Sequence, residues 1–329
     1  MKFNLFVGTD VSKKTLDFAI VQEGEQKLTF HSENSINGIE SFFNEFNKHY
    51  KFELCKVVFC MEFTGIYNNN LVNYLIGIKA NIWLENPIHI KKSLGMVRGK
   101  NDKVDAQRIA MFAYKNEKQA KLWIPQRKVI QTLKALTGVR TRIMKSMETL
   151  KLPLDEIKSF VDKEIRKSIK ESCKASLNAL KKDLKDINDK IVQIMKSDEQ
   201  LSQLYKIVTS VQNVGPVIAT AVIIETNEFK KFGNGKQFAC YTGVVPFRYT
   251  SGTSIKGKAK VSHLANKHLK TLLHMSALGA VSRPGEMKDY FDRKVAEGKN
   301  KMLVINAVRN KIILRIFACV RQNKLFAKC

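Results

Sequence analysis

The chain has 329 residues, which is enough for about two domains that each bury a core of their own. Its 57 Lys and Arg residues against 30 Asp and Glu residues give a net charge of +27, and this excess favours a polyanionic partner, above all nucleic acid. No stretch approaches the ~18 apolar residues of a membrane helix, no secretory signal stands at the N-terminus, and the six cysteines form no C-x-x-C pair, so a soluble cytoplasmic protein without a zinc ribbon is expected.

The first third of the chain alternates predicted strands and helices. Three successive strands followed by alternating helices and strands is the order of an RNase H-like (RuvC-like) α/β domain, and we assign it to residues 1–125. In that fold the first and fourth strands lie side by side at the centre of the sheet, and ligands bind at the sheet edge where such strands end. Apolar runs and helical spacing place the strands at 3–10, 15–22, 27–31, 56–61 and 80–84, and the helices at 35–49, 67–77 and from about 102 to 112.

Four acidic residues stand where this domain would hold a metal. Asp10 ends the first predicted strand, Glu62 follows the fourth, and Asp102 and Asp105 lie three apart at the start of a helix, on one face. Oxygen donors without a Cys or His partner suit Mg²⁺ or Mn²⁺. Two such ions can hold the attacking and leaving oxygens of a phosphoryl transfer.

A second interpretation of the first strand remains open. The sequence VGTDVSKKT also fits the phosphate-binding turn of sugar kinases and actin. That fold requires a second Gly-rich phosphate loop after a strand, and the sequence contains none.

Residues 126–203 are predicted to be almost entirely helical. Apolar residues recur at three- and four-residue spacing among many charges, as in Ile157, Ile165, Leu180 and Ile191. This pattern predicts long helices, a coiled-coil arm interrupted near Pro153. The arm would serve either as scaffold or as a dimer interface.

Residues 204–329 are predicted to form a mainly α domain that begins with a helix-hairpin-helix. The hairpin covers Ile207 to Glu225, with Asn213 at a turn position often held by Gly, and Asn tolerates the left-handed conformation. Such hairpins present backbone amides to phosphates. No acid occurs from Phe229 through Gly285, so we expect the polyanion to contact the cations there, notably Arg248, Lys256, Lys258, Lys260, Lys267 and Lys270.

A serine lies within this acid-free segment. Ser251 precedes Gly252 in YTSGTSIKG, and a serine on a flexible loop beside cations can attack a phosphodiester if its proton is removed. By composition alone, Ser254 and Ser262 are equally good candidates, and an ordinary loop serine is the simpler interpretation.

The motifs resemble those of a known family, the DEDD transposases of the "one-ten" class of insertion sequences, which includes the Piv and MooV invertases. The segments GTDVSKKTLD, MEFTGIY and KNDKVDA resemble its three acidic motifs. NVGPVIATAV, GVVPFRYTSGTSIKGKAKVS and HLKTLLHMSA resemble its second conserved domain. The match spans nearly the whole chain in the right order. Two departures are small: Phe63 stands where Ala is usual, and Asn213 where Gly is common.

The resemblance implies a bacterial, nucleoid-associated recombinase. It implies that Asp10, Glu62, Asp102 and Asp105 bind Mg²⁺ and that Ser251 is the nucleophile. It also implies three kinds of partner: donor and target DNA, a structured noncoding bridge RNA that reads sequence by base pairing, and further copies of the chain in a dimer or tetramer. Two alternatives remain, a Holliday-junction resolvase that uses water as nucleophile, and a non-catalytic nucleic-acid-binding scaffold.

Overall fold

The computed structural model describes residues 3–50, 53–93, 102–251 and 255–327. The chain divides into two compact units, Met1–Pro125 and Gln126–Cys329, and each is described by itself. In the described part of the chain, no helix is both long and apolar enough to cross a membrane.

The first unit is built on a five-stranded sheet of order β3-β2-β1-β4-β5. The first three strands form an antiparallel meander, whereas β4 and β5 continue the sheet parallel to β1. This is the predicted RNase H-like order, and the predicted adjacency of the first and fourth strands is confirmed. The strands are β1 Leu5–Val11, β2 Thr15–Gln22, β3 Glu25–Glu33, β4 Val57–Glu62 and β5 Asn81–Glu85.

Helices cover both faces of this sheet. One face packs on α1 (Ile36–His49) and α2 (Asn69–Gly77), where Phe18 stacks on Phe42 with ring centroids 3.8 Å apart. Ser35 begins α1 by accepting a hydrogen bond from the backbone amide of Gly38. The other face packs on α3 (Pro87–Ser93) and α4 (Asp102–Lys115). Because β1 and β4 are buried on both faces, they read as continuous apolar runs.

The second unit begins with two long helices that pack against each other, α5 (Lys128–Glu156) and α6 (Lys163–Ser197). The predicted interruption near Pro153 lies slightly later, because α5 runs through the proline to Glu156. Pro153 stands in the last turn, where its missing N–H removes one hydrogen bond of a helix that is already ending. Ile130 of α5 and Met195 of α6 are buried in the same core as the helices that follow.

Six shorter helices and a two-stranded ribbon complete this unit. A short turn joins α7 (Glu199–Ser210) to α8 (Pro216–Glu225), and Asn213 in that turn has φ 64°, the left-handed conformation expected of it. Pro216 occupies the first turn of α8, where its missing N–H costs nothing. The elements are α7 Glu199–Ser210, α8 Pro216–Glu225, α9 Gly235–Tyr241, β6 Phe247–Ser251, β7 Ile255–Lys260, α10 Lys267–Val281, α11 Glu286–Ala296 and α12 Lys301–Gln322.

An ion-pair network fixes the start of α5. Arg127 donates to both carboxylate oxygens of Glu228 and to those of Asp198. The side chain of Glu228 is fully buried, and Lys230 is its other cationic partner. Hydrogen bonds from Arg127, and then from the amide of Leu201, lower the pKa of Asp198, which also caps α7.

Candidate active site

The register of the sheet aligns polar residues across one face. Thr9 pairs with Met61 between the parallel strands β1 and β4, so Asp10 and Glu62 are the next residues of each strand. On the far side of β4, Glu62 pairs with Glu85 at the end of β5. Because alternate strand positions share a face, these acids lie on the face that α4 covers.

The helix α4 approaches β1 so closely that only glycine fits between them. A Cβ built on Gly8 would lie 2.2 Å from the backbone nitrogen of Ala110 and 2.3 Å from the carbonyl oxygen of Ala106. Two residues earlier in β1, Phe6 meets the ring of Tyr114 with centroids 5.4 Å apart. The helix therefore runs antiparallel to the strand.

This direction sets which part of α4 lies opposite Asp10. Phe6 of β1 faces Tyr114 of α4, and Gly8 faces Ala110 and Ala106. Position 10 of β1 therefore faces the first turn of the helix. That turn contains Asp105 and begins at Asp102, whose side chain lies outside the described residues. Asp10, Glu62 and the first turn of α4 thus share one corner of the unit.

Electrostatics support the closeness of two of these carboxylates. Burial raises the pKa of Glu62, and the negative charge of Asp105 raises it further. Asp105 also accepts a hydrogen bond of 2.7 Å from Nη1 of Arg108, one turn along the helix. Among the residues that the structure describes, no three His, Cys, Asp or Glu side chains already form a complete metal-binding group.

The sequence interpretation missed three polar residues of the same row. Asp17 pairs with Asp10 across β1 and β2, is 4% exposed, and places its Oδ1 2.8 Å from Nδ1 of His31 on β3. Glu85 accepts hydrogen bonds from the indole of Trp83 and from the amide of Asn86. The signal was available: Asp17 is the charged residue in an otherwise apolar strand, and Glu85 ends β5 as Glu62 ends β4.

The predicted serine belongs to the second unit. Ser251 is the last residue of β6, and its backbone pairs with Ile255 of β7, so the serine ends a strand of an antiparallel ribbon where the sequence predicted a flexible loop. The segment SGTSIKGKAK has few apolar residues and did not suggest a strand. The side chains of Ser251, Arg248, Lys256, Lys258 and Lys260 lie outside the described residues.

The remaining predicted cations begin α10. Lys267 is exposed in its first turn, and Lys270 is half-buried. Asn266 caps this helix by accepting a hydrogen bond from the amide of Leu269. The structure thus places the two lysines at the positively polarised end of a helix, where an anion is favoured.

Comparisons with known proteins agree along both units. Residues 7–157 match a family model described as a transposase, the DEDD transposase of IS110, and residues 205–292 match one described as the transposase IS116/IS110/IS902 family. The chain is 23% identical over 331 residues to a pilin gene-inverting protein of Moraxella lacunata, covering 98% of both chains. It is 25% identical to an uncharacterized 44.8 kDa protein of insertion element IS116 from Streptomyces clavuligerus, over 46% of this chain and 36% of that protein.

Solved structures give a weaker likeness. RuvC of T. thermophilus in complex with a Holliday junction substrate is 11% identical, with 36% of this chain and 99% of that chain covered and a TM-score of 0.30. The family models and the full-length relative decide the assignment: the chain belongs to the IS110/IS116 family of DEDD transposases, enzymes that cleave and rejoin DNA.

Proposed function

We propose that this transposase moves an insertion sequence under the guidance of a structured noncoding bridge RNA. In this proposal Asp10, Glu62, Asp102 and Asp105 bind Mg²⁺ or Mn²⁺, and Ser251 attacks the DNA. One observation carries the metal site: the first turn of α4 lies opposite Asp10, and Asp105 is close enough to Glu62 to raise its pKa. Carboxylates held together against their own repulsion are suited to a shared cation.

The donors fit a hard divalent ion. Asp10, Glu62 and Asp105 offer oxygen ligands only, as Mg²⁺ and Mn²⁺ prefer. When bound, such an ion would stabilise the negative charge that builds on the phosphate during transfer. The chain's own part is to hold the carboxylates in place, through the β1–β4 register and the Gly8 contact with α4.

The test of the metal site uses alanine at each of the four acids. We expect each variant to lose strand transfer and the thermal stabilisation that Mn²⁺ gives the wild-type protein. Glu40→Ala is the matched control, because Glu40 is exposed on α1, which packs on the opposite face of the sheet. Full activity in EDTA, or in Asp102→Ala, would refute the proposal.

The serine step would conserve a phosphodiester-like bond. The Oγ of Ser251 bonds to the scissile phosphorus while the bond from phosphorus to the leaving strand's oxygen breaks, and that oxygen takes up the proton that serine loses. Attack by the hydroxyl of another strand reverses the exchange and rejoins DNA without ATP. Serine is a weak nucleophile at neutral pH, so a neighbouring base or cation must activate it.

The covalent intermediate makes this step testable. Ser251→Ala should bind nucleic acid normally yet leave no protein–DNA adduct on a denaturing gel, whereas Ser254→Ala and Ser262→Ala should retain the adduct. If Ser251→Ala still recombines DNA, a water molecule or a DNA end is the nucleophile, and the resolvase-like alternative replaces the proposal. If alanine at all four acids leaves recombination intact, the acids are dispensable, as the scaffold alternative requires.

We expect phosphate contacts to dominate nucleic-acid binding. Lys256, Lys258 and Lys260 occupy alternate positions of β7, within the acid-free segment. Replacing all three by Ala should flatten the slope of log affinity against log salt by about 2.7 on duplex DNA, at about 0.9 per phosphate. The control replaces the exposed Lys181, Lys182 and Lys185 of α6. An equal change in both variants would mean that the ribbon is not the preferred contact.

Self-association is proposed for the far end of the α5–α6 pair. Phe160 is 89% exposed and Ile165 56% exposed, although both are large and apolar. The other end of the pair is committed to the core of the unit through Ile130 and Met195. Phe160→Glu with Ile165→Glu should therefore lower the particle mass measured by light scattering without unfolding the protein. A mass unchanged by both substitutions would assign the pair to scaffold alone.

A further inference from the structure

Three large apolar side chains are exposed immediately after Glu62. The segment between β4 and α2, residues 63–67 and here called the 63–67 loop, exposes 54% of Phe63, 75% of Ile66 and 39% of Tyr67. Single exposed apolar residues are ordinary, but three within one five-residue turn form a local apolar surface. This surface begins one residue after Glu62, an acid proposed to meet the scissile phosphate.

The loop is held by hydrogen bonds to the buried side chain of Asn68. Asn68 is 2% exposed; its Oδ1 accepts from the amide of Thr64 at 2.7 Å and from its hydroxyl at 3.0 Å, and its Nδ2 donates to the carbonyl of Glu62 at 2.9 Å. The amide of Phe63 donates to the carbonyl of Glu85 at 3.0 Å. The apolar side chains are therefore presented by a built turn.

A second anchor holds the far side of the loop. The side-chain amide of Asn34 donates to the carbonyls of Tyr67 at 3.0 Å and of Ser12 at 2.8 Å. At the apex, Gly65 has φ 76°, and a Cβ built there would meet no atom within 4 Å. The turn thus needs glycine for its backbone angle and projects away from the rest of the unit.

A nucleotide has the chemistry that matches this arrangement. Its phosphate would lie at the acids and their metal, and its base offers an uncharged aromatic face to the next residues along the chain. An aromatic side chain stacks on any base, because every base has a π-face. The surface is too small to suit a second copy of the chain, since stable interfaces bury about 800 Å² per partner.

We propose that the 63–67 loop stacks on an unpaired DNA base that flanks the scissile phosphate, with Phe63 as the platform and Ile66 beside it. This inference rests on the proposed function of the acids. It makes Phe63 a positioning residue that fixes the strand to be cut.

The experiment begins by mapping the cut made by the wild-type nucleoprotein on DNA that carries the element's own ends. 5-Iodouracil is then placed at each nucleotide flanking the cut, and the complex is irradiated in Ca²⁺, which supports binding without requiring cleavage. We expect a cross-link to the peptide that contains Phe63. Phe63→Ala should lose it and cleave about 5- to 150-fold more slowly, the equivalent of the ~1–3 kcal/mol of a base–aromatic stack. Phe63→Trp should keep both.

A matched control separates stacking from general loss of apolar surface. Ile66→Ala should slow cleavage, whereas Ile124→Ala should not. Ile124 is also exposed, at 46%, but it follows Trp123, whose backbone amide donates a hydrogen bond to the carbonyl of Ile82 near the opposite end of β5. Cross-links that avoid Phe63, with cleavage by Phe63→Ala within twofold of wild type, would overturn the proposal. A lower particle mass of Phe63→Ala with unchanged cross-links would overturn it in favour of a second copy.

The experiments distinguish a failure of the loop proposal from a failure of the metal-site proposal. The cross-link needs binding but no chemistry, so Asp10→Ala should retain it while losing cleavage. Asp10→Ala protein that still cuts DNA would refute the metal site. A missing cross-link at Phe63 in wild-type protein that cuts DNA in a metal-dependent way refutes only the loop.

Discussion

Replacing Gly8 by alanine should disable the enzyme from a position that bears no functional group. The new Cβ would lie 2.2 Å from the backbone nitrogen of Ala110 and 2.3 Å from the carbonyl of Ala106, and both belong to the rigid backbone of α4. Since favourable contacts lie near 3.5 Å, the helix must retreat by about 1 Å. Overpacking of this kind costs about 1–3 kcal/mol of stability.

The larger effect falls on activity. The displaced helix carries Asp105, whereas Asp10 and Glu62 stay on the sheet, so the acids proposed to bind the metal separate. A displacement of 1 Å at a reacting centre costs about 100-fold in rate. We expect strand cleavage by Gly8→Ala to fall by at least that factor while the protein remains folded at 25 °C.

The matched control is Gly77→Ala in the same unit. A Cβ built on Gly77, the last residue of α2, would meet no atom within 4 Å. This variant should keep its activity and its thermal midpoint. The assay pairs cleavage of labelled DNA with thermal unfolding of each variant. Wild-type cleavage rates in Gly8→Ala would refute the claim that the helix contact holds the acids together.

The remaining predictions concern charge. Glu62→Gln should stabilise the metal-free protein. The pKa of the Glu62 carboxyl is raised in the folded state, so the stability of the wild-type protein declines as pH rises from 4.5 through that raised pKa, and glutamine removes this decline. Thermal midpoints of both proteins, measured against pH in EDTA, test the prediction. A Gln variant no more stable than wild type above that window would contradict the repulsion from Asp105. Arg127→Ala should lower the free energy of unfolding in urea by about 2–4 kcal/mol, because it removes the main partner of the buried Glu228. Arg315→Ala should lower it by about 1 kcal/mol or less, because its partner Glu286 is 65% exposed. Equal costs for the two arginines would refute the role of burial.

Much of the first unit could be predicted because β1, β2 and β4 are mostly buried and α1 begins at a capping serine. Apolar runs fixed the strands to within about two residues, and the strand order then placed Asp10 beside Glu62. The contact at Gly8 could not be predicted, because it depends on which face of the sheet receives α4 and on the direction of that helix. The row formed by Asp17 and His31 depends likewise on strand register, which a single sequence does not specify.

The second unit was harder to predict for a different physical reason. Strand β7 has glycine and lysine where strands usually carry β-branched or aromatic residues, so local propensity argued for a loop there. The left-handed conformation of Asn213 was predictable, because the turn requires a positive φ and asparagine tolerates it. In this unit the local backbone requirement was readable from the sequence, whereas the pairing of β6 with β7 was not.

The net positive charge of the chain and the acids of its proposed site have different roles in binding nucleic acid. A protein of net charge +27 attracts a polyanion over its whole surface, which gives affinity but no particular register. Grouped carboxylates repel phosphate, and a cation bound between them would offset that repulsion at the cleavage site. The apolar 63–67 loop that follows Glu62 carries no charge, so contacts made through it should be insensitive to salt. Raising the salt concentration should therefore weaken binding at the basic segment while leaving the stack at Phe63, so that the ratio of cleavage rates between wild type and Phe63→Ala stays constant as affinity falls.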